Sequence, residues 1–266
     1  MRIVLPLVIV VSLAGCASPA APPSPAFPNG RLVDLSHAYD AQTIFWPTAE
    51  RFVLTTVADG VTPAGYYYAA NTFATSEHGG THLDAPRHFA AGRWAADQIP
   101  LERLVGAAAV VDVAAQASGA ADYQVTAADL QAWESSHGRL PDGVILLLRT
   151  GFSSRWPDAA SYLGTAERGE AAVPMLHFPG LHPDAARWLV AERRIGAVGI
   201  DTASIDYGQS TLFESHRVLY EQNIPAFENL AALDRLPPTG AFVVALPMKI
   251  AGGSGAPLRA IAIVPR

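Results

Sequence analysis

Apolar and polar positions change rhythm repeatedly along this chain, and each change marks an element. Runs rich in Val, Ile, Phe and Tyr predict strands over Arg51–Val57, Tyr66–Phe73, Ala108–Val113, Val144–Leu148, Ala197–Ile200, Phe242–Leu246 and Ala260–Val264. Leu32, Val33 and Leu35 open a first strand near Arg31. Helical spacing is rarer. Thr126 followed by Ala127-Ala128-Asp129 reads as a capping box, with Leu130 and Trp133 on the helix and Gly138 as its stop after His137. Pro183 fits the first turn of a helix carrying Ala186, Leu189 and Val190, and a third helix is expected from about Phe213 to Gln222. The alternation predicts a mixed α/β or α+β chain with a substantial sheet, although strand order is not readable from periodicity.

The first sixteen residues follow a different pattern. Arg2 precedes an apolar run from Ile3 to Leu13, too short to span a bilayer comfortably and of the length of a signal-peptide core. It ends in Leu13-Ala14-Gly15-Cys16, which resembles the lipobox of bacterial lipoproteins. That resemblance implies acylation of Cys16 and export to the cell envelope on the periplasmic side. Ala17 lacks the aspartate associated with inner-membrane retention, so the outer membrane is the preferred location. Residues 17–30 are rich in Pro, Ala and Ser, as expected of an extended tether. With no internal repeat and no second linker, residues 31–266 are expected to form one domain.

Composition narrows the chemistry. Hydrophobic residues make up 50% of the chain and charged residues 16%, which supports a large core. The net charge of −6, without Lys/Arg clusters, argues against nucleic acid and leaves a small molecule as the expected partner. Membrane contact is expected only through the lipid. Cys16 is the only cysteine, so any metal site must use nitrogen and oxygen ligands.

Such ligands crowd into His78-Gly79-Gly80-Thr81-His82-Leu83-Asp84-Ala85-Pro86-Arg87-His88. Two glycines between the first histidines and a proline behind them disfavour a helix. In an extended segment His82 and Asp84 point to the same side, and the glycines let His78 fold back toward them. These three form a compact half-site for a divalent cation. His88 is the natural proton carrier, since an ordinary imidazole exchanges protons at about pH 6.5. A metal-activated water with a histidine shuttle suffices to hydrolyse an amide. Burying these groups unpaired would be costly, so core packing explains them poorly.

The stretch resembles the HxGTHxDxPxH signature of the metal-dependent cyclase/kynurenine formamidase family, which includes isatin hydrolases, through His78, Gly80, Thr81, His82, Asp84, Pro86 and His88. Gly79 fills a position where that family varies. Asp34-Leu35-Ser36-His37, Trp46-Pro47, Ser210-Thr211, His216, Glu228 and Pro247-Met248-Lys249-Ile250 with Gly252-Gly253-Ser254-Gly255 extend the likeness nearly to the end of the chain. The resemblance implies a single α/β domain with a barrel-like mixed sheet flanked by helices, of the swivelling β/β/α type, and a homodimer. It implies that His78, His82 and Asp84 hold a first metal, that Asp84 and Glu228 bridge to a second ligated by His216, that His88 shuttles protons and that Trp46 walls the pocket. One or two ions, Zn²⁺ or Mn²⁺, are expected. The implied reaction is hydrolysis of an aryl formamide such as N-formylkynurenine or of an isatin-like lactam, with the C-terminal segment favouring the latter.

Without the family, His216 reads as a solvated helix residue and Glu228 as a residue at the end of a strand. His137 and His182 read as helix-end residues, His37 as a structural hydrogen-bonder, and His177 as a loop residue with some claim on the pocket. Asp201, Ser204 and Asp206 follow a strand, where sites often form. An envelope lipoprotein that binds a metal or solute without turnover would use the same ligands; His88, which pure binding does not need, separates the two.

Overall fold

The computed structural model describes residues 29–266; residues 1–28, with Cys16, the signal-like segment and nearly all of the Pro-rich stretch, lie outside them. In chain order the elements are β1 (Arg31–Asp34), β2 (Val53–Val61), β3 (Tyr67–Ala74), β4 (His82–Asp84), β5 (Val105–Asp112), α1 (Ala114–Ser118), β6 (Gln124–Val125), α2 (Ala127–His137), β7 (Ile145–Arg149), α3 (Ala159–Leu163), β8 (Gly180–Leu181), α4 (Pro183–Glu192), β9 (Ala197–Ile200), α5 (Glu214–Tyr220), β10 (Ala226–Glu228), β11 (Phe242–Pro247) and β12 (Gly255–Val264).

Strands β12, β11, β5, β7, β9, β10 and β4 are bonded in that order, and β4 pairs back onto β12, so the sheet closes into a barrel. β5, β7, β9 and β10 run parallel, while β11, β12 and β4 are antiparallel to their neighbours. β1 extends β12 from outside the ring. The parallel strands are covered on both faces, which is why they read as continuous apolar runs. Along β7 the side chains alternate: Ile145 and Leu147 join the barrel interior with Val33, Leu83, Phe227 and Val243, whereas Leu146 and Leu148 meet the helices through Leu130, Leu189 and Leu219.

Two of the helices start as their sequence signals require. Thr126 Oγ1 accepts from Asp129 N and Asp129 Oδ2 accepts from Thr126 N, closing the capping box of α2, and Trp133 Nε1 ties that helix to Val110 O at 2.9 Å. His182 caps α4, its Nδ1 accepting from Asp184 N, with Pro183 in the first turn. α5 is shorter than the expected span: Phe213 lies before it at φ 48°, and Tyr220 ends it. β2 and β3 form a separate hairpin whose apolar side chains, among them Val57, Val61, Tyr66, Tyr67 and Phe73, are more than half exposed. Among the described residues no helix is long and apolar enough to cross a membrane.

Candidate metal centre

One of the two shortest barrel strands carries the most chemistry. β4 is three residues long and buried throughout, and it lies between β10 and β12. Its register sets Glu228 opposite His82 and Gly255 opposite Asp84. The chain enters it through a tight corner at Gly79 (φ 157°) and Gly80 (φ 57°). A Cβ on Gly79 would lie 2.0 Å from the Phe45 ring, and one on Gly80 would lie 2.5 Å from the Tyr39 ring, so both positions demand glycine. Gly79 is therefore no free position in this chain. Tyr39 Oη, sharing its one proton, lies 2.6 Å from Gly79 O and 2.8 Å from Thr81 O, and Thr81 Oγ1 donates to Asn229 O, locking the corner to the residue just past β10.

Five side chains converge beyond this corner. His78 Nδ1 lies 2.6 Å from Asp84 Oδ1, and His82 Nε2 lies 3.0 Å from the same oxygen. His216 Nε2 lies 3.3 Å from Asp84 Oδ2 and 3.2 Å from Glu228 Oε1, while His82 Nε2 lies 3.5 Å from Glu228 Oε2. Asp84, His82, His216 and Glu228 are all at most 3% exposed.

The outer ring nitrogens of these histidines are already committed. His82 Nδ1 donates to Gly80 O at 3.0 Å, and His216 Nδ1 donates to Asp206 Oδ2 at 2.5 Å. Ser254 Oγ donates to Glu77 Oε2 at 2.5 Å and so accepts from His78 Nε2 at 2.8 Å. Each neutral imidazole is thereby fixed in the tautomer whose lone pair faces inward. Lone pairs of three imidazoles and two carboxylates then face one another, with Tyr220 Oη, 3.0 Å from Asp84 Oδ2, as a donor to one of them. Facing acceptors repel unless positive charge lies between them, and nitrogen–oxygen ligands suit a borderline-to-hard divalent cation. The group can bind a metal ion, and Asp84 belongs to both of its halves, His78–His82–Asp84 and Asp84–His216–Glu228.

Electrostatics agree with the geometry. Burial pulls the His82 and His216 pKa values down, but hydrogen bonds and charges from Asp84, Glu228 and, at His216, Asp206 overcome it and push both above the ordinary value. Burial and the Asp84 charge raise Glu228. Asp84 itself is held well below the carboxylate range: burial opposes this, but the histidines around it prevail. The carboxylates draw protons onto the histidines where a cation would serve better.

A family model for cyclases matches residues 33–207, more than half of the chain. The chain belongs to the cyclase family. An isatin hydrolase from Roseibium aggregatum is 33% identical over 210 residues, covering 76% of this chain and 77% of that protein. A kynurenine formamidase from Salinibacter ruber is 30% identical over 235 residues, covering 86% and 96% respectively. Among solved structures, isatin hydrolase A from Ralstonia solanacearum superposes with a TM-score of 0.79 at 36% identity, covering 88% of this chain and 92% of that one. This cyclase-family chain, with its group of metal-binding side chains, is a metal-dependent hydrolase.

The cyclase-family centre opens onto a cavity of about 340 Å³, lined on its apolar side by Ile44, Phe45, Trp46, Phe89 and Phe213. Trp46 is among the residues that line it. His88, on the turn Pro86–His88, stacks on His78 with ring centres 3.8 Å apart, and its Nε2 lies 4.0 Å from Asp84 Oδ2. It does not titrate near neutrality in this setting. Burial lowers its pKa to about 4, with Asp84 opposing and the neighbouring histidines assisting, so it stands neutral at physiological pH.

The remaining candidates divide. Asp206 serves the centre: it orients His216 and accepts from the backbone N–H groups of Ser215 and His216. Ser204 lines the cavity. Asp201 instead accepts from Thr150 N, Thr150 Oγ1 and Gly151 N and holds two loops together. His177 is outside the cavity lining and pairs with Asp122 at 2.8 Å. The ring of His37 is less a hydrogen-bonder than expected: it stacks on Trp156, and its buried Nε2 has no protein partner. Glu77 and Tyr220 went unread in the sequence, since only the folded chain brings them beside Ser254 and Asp84.

Proposed function

We propose that this protein hydrolyses a small, neutral aromatic amide, with an isatin-like lactam preferred over an amino-acid-bearing aryl formamide such as N-formylkynurenine. The observation that carries this reading is the convergence of inward-facing acceptors at the floor of a small apolar cavity. His78, His82 and Asp84 would hold one divalent cation, and Asp84, His216 and Glu228 a second, Asp84 being shared. Zn²⁺ and Mn²⁺ both suit these ligands. A cation held there supplies Lewis acidity, polarising a carbonyl and acidifying water.

The protein's own residues do the rest. A cavity of about 340 Å³ is at the small end for ligand sites and suits one or two rings. Among the described residues that line it there is no Lys or Arg to meet the carboxylate of an amino acid, which favours a neutral lactam. Trp46 and Phe89 line the cavity beside the reacting centre, where their apolar surface disfavours bulk water. His88, kept neutral by burial, accepts the proton released as water adds to the carbonyl and returns it to the departing nitrogen.

The exposed hairpin of β2 and β3 supports a homodimer in which that apolar surface is covered. The lipobox-like run ending at Cys16 supports an exported, lipid-anchored form, with residues 31–266 as the catalytic domain.

The test is to strip the protein with chelator, reload it with Zn²⁺ or Mn²⁺, and compare isatin with N-formylkynurenine. Metal-dependent turnover with a higher kcat/KM for isatin is expected. Faster turnover of N-formylkynurenine would overturn the substrate preference, and turnover of neither amide would overturn the reading.

A further inference from the structure

Phe213 lies immediately before α5, the helix that carries His216, with φ 48° and ψ 46°. Bulky aromatic residues rarely adopt this left-handed conformation, and one persists only where its surroundings enforce it. Here Phe213 N donates to Ser210 Oγ at 3.2 Å, and Ser210 Oγ donates to Asp206 Oδ1 at 3.3 Å. The same carboxylate accepts from Ser215 N and His216 N, so the loop and the start of α5 hang from one buried group. A helix start that needed only this backbone shape would be better served by Gly or Asn. What the strained position secures is the ring. Its centre lies 5.1 Å from that of Phe89, tilted by 31°, and 6.2 Å from that of Trp46, and all three rings line the cavity above the metal centre.

We propose that Phe213 is a specificity-determining residue whose ring, with Trp46 and Phe89, forms a slot that selects planar aromatic amides over saturated amides of equal size. The proposal deepens the hydrolase reading and rests on it for the identity of the ligand. Ile44 and Phe45 already supply apolar surface, so hydrophobicity alone would not separate a flat ring from a puckered one. Ring–ring geometry does, because offset and edge contacts reward a π-face.

The test compares benzamide with cyclohexanecarboxamide, neutral amides of similar size, binding to the metal-loaded protein in calorimetric titrations. The unmodified protein is expected to bind benzamide more tightly. Phe213→Leu should narrow that preference roughly fivefold, the worth of one aromatic pair, while Phe213→Tyr retains it. Equal affinities in the unmodified protein, or a preference that survives Phe213→Leu, would overturn the proposal. So would a parallel loss of both ligands in Phe213→Leu but not in Phe213→Tyr, which would mark Phe213 as a support for His216 alone. Turnover of isatin is measured separately on the same preparation. If neither it nor N-formylkynurenine is turned over, the hydrolase reading falls, while the affinity ratio still decides the slot.

Discussion

Glu228 stands directly opposite His82 in the antiparallel ladder between β10 and β4, and its Oε2 lies 3.5 Å from His82 Nε2. Two residues 146 positions apart in the chain are thereby delivered to one point by strand register. Because a one-residue slip would turn His82 away from the centre, the register is part of the chemistry.

Glu228→Gln should separate binding from stability. The amide replaces one inward acceptor with a donor, so metal affinity should fall by more than the roughly 10–100-fold that an outer partner is worth. In chelator the same variant should melt no lower than the parent, because a buried carboxylate beside Asp84 has been removed. Metal titration and thermal melts check both halves. A metal-free variant that melts far below the parent would point to a packing role for Glu228.

Asp206 acts through His216. Asp206→Asn forces one of its accepted hydrogen bonds to face an amide N–H, so His216 loses its fixed orientation. Metal affinity should fall about 10–100-fold while the Tm in chelator changes little. Unchanged affinity would show that α5 alone positions the imidazole.

Much of the site was legible in the sequence because its ligands cluster around Gly79-Gly80, and the long barrel strands announced themselves as apolar runs. β4 and β10 are three residues each, too short to carry a period, and their pairing spans most of the chain. Glu228 could be read as a strand end, but not as the neighbour of His82. The neutral state of His88 is hidden for a similar reason, since it comes from burial that only the folded chain creates. α5 was overextended because periodicity does not reveal that Phe213 takes a left-handed turn.

Gly79→Ala tests the corner. Its Cβ would overlap the Phe45 ring at 2.0 Å, and the backbone would be held where alanine is strained. Overpacking of this kind costs about 1–3 kcal/mol, and the chain should respond by displacing His78. A lower Tm together with weaker metal binding is expected. A variant that melts and binds metal like the parent would mean that Phe45 yields freely.

His37 predicts an acid sensitivity independent of the metal ligands. Burial, partly opposed by Asp34, lowers its pKa from the ordinary 6.5 to about 4. Between those values the unfolded chain binds a proton that the folded chain refuses, so stability falls as pH drops through 6.5 and the loss levels off near 4. Above pH 6.5 the residue contributes no slope. His37→Phe, which can still stack on Trp156, should flatten the decline in Tm between pH 7 and pH 4.5 relative to the parent. An identical decline in both proteins would place the titrating group elsewhere.

The most direct measurement of the central claim pairs metal content with isatin turnover in the chelator-stripped and reloaded protein, alongside His88→Gln. The parent should be inactive when stripped and should recover on reloading. His88→Gln should take up the same amount of metal while kcat falls by about a hundred- to ten-thousand-fold. Full activity in the metal-free parent would contradict a metal-dependent site. Full activity in metal-loaded His88→Gln would contradict the assignment of the proton carrier.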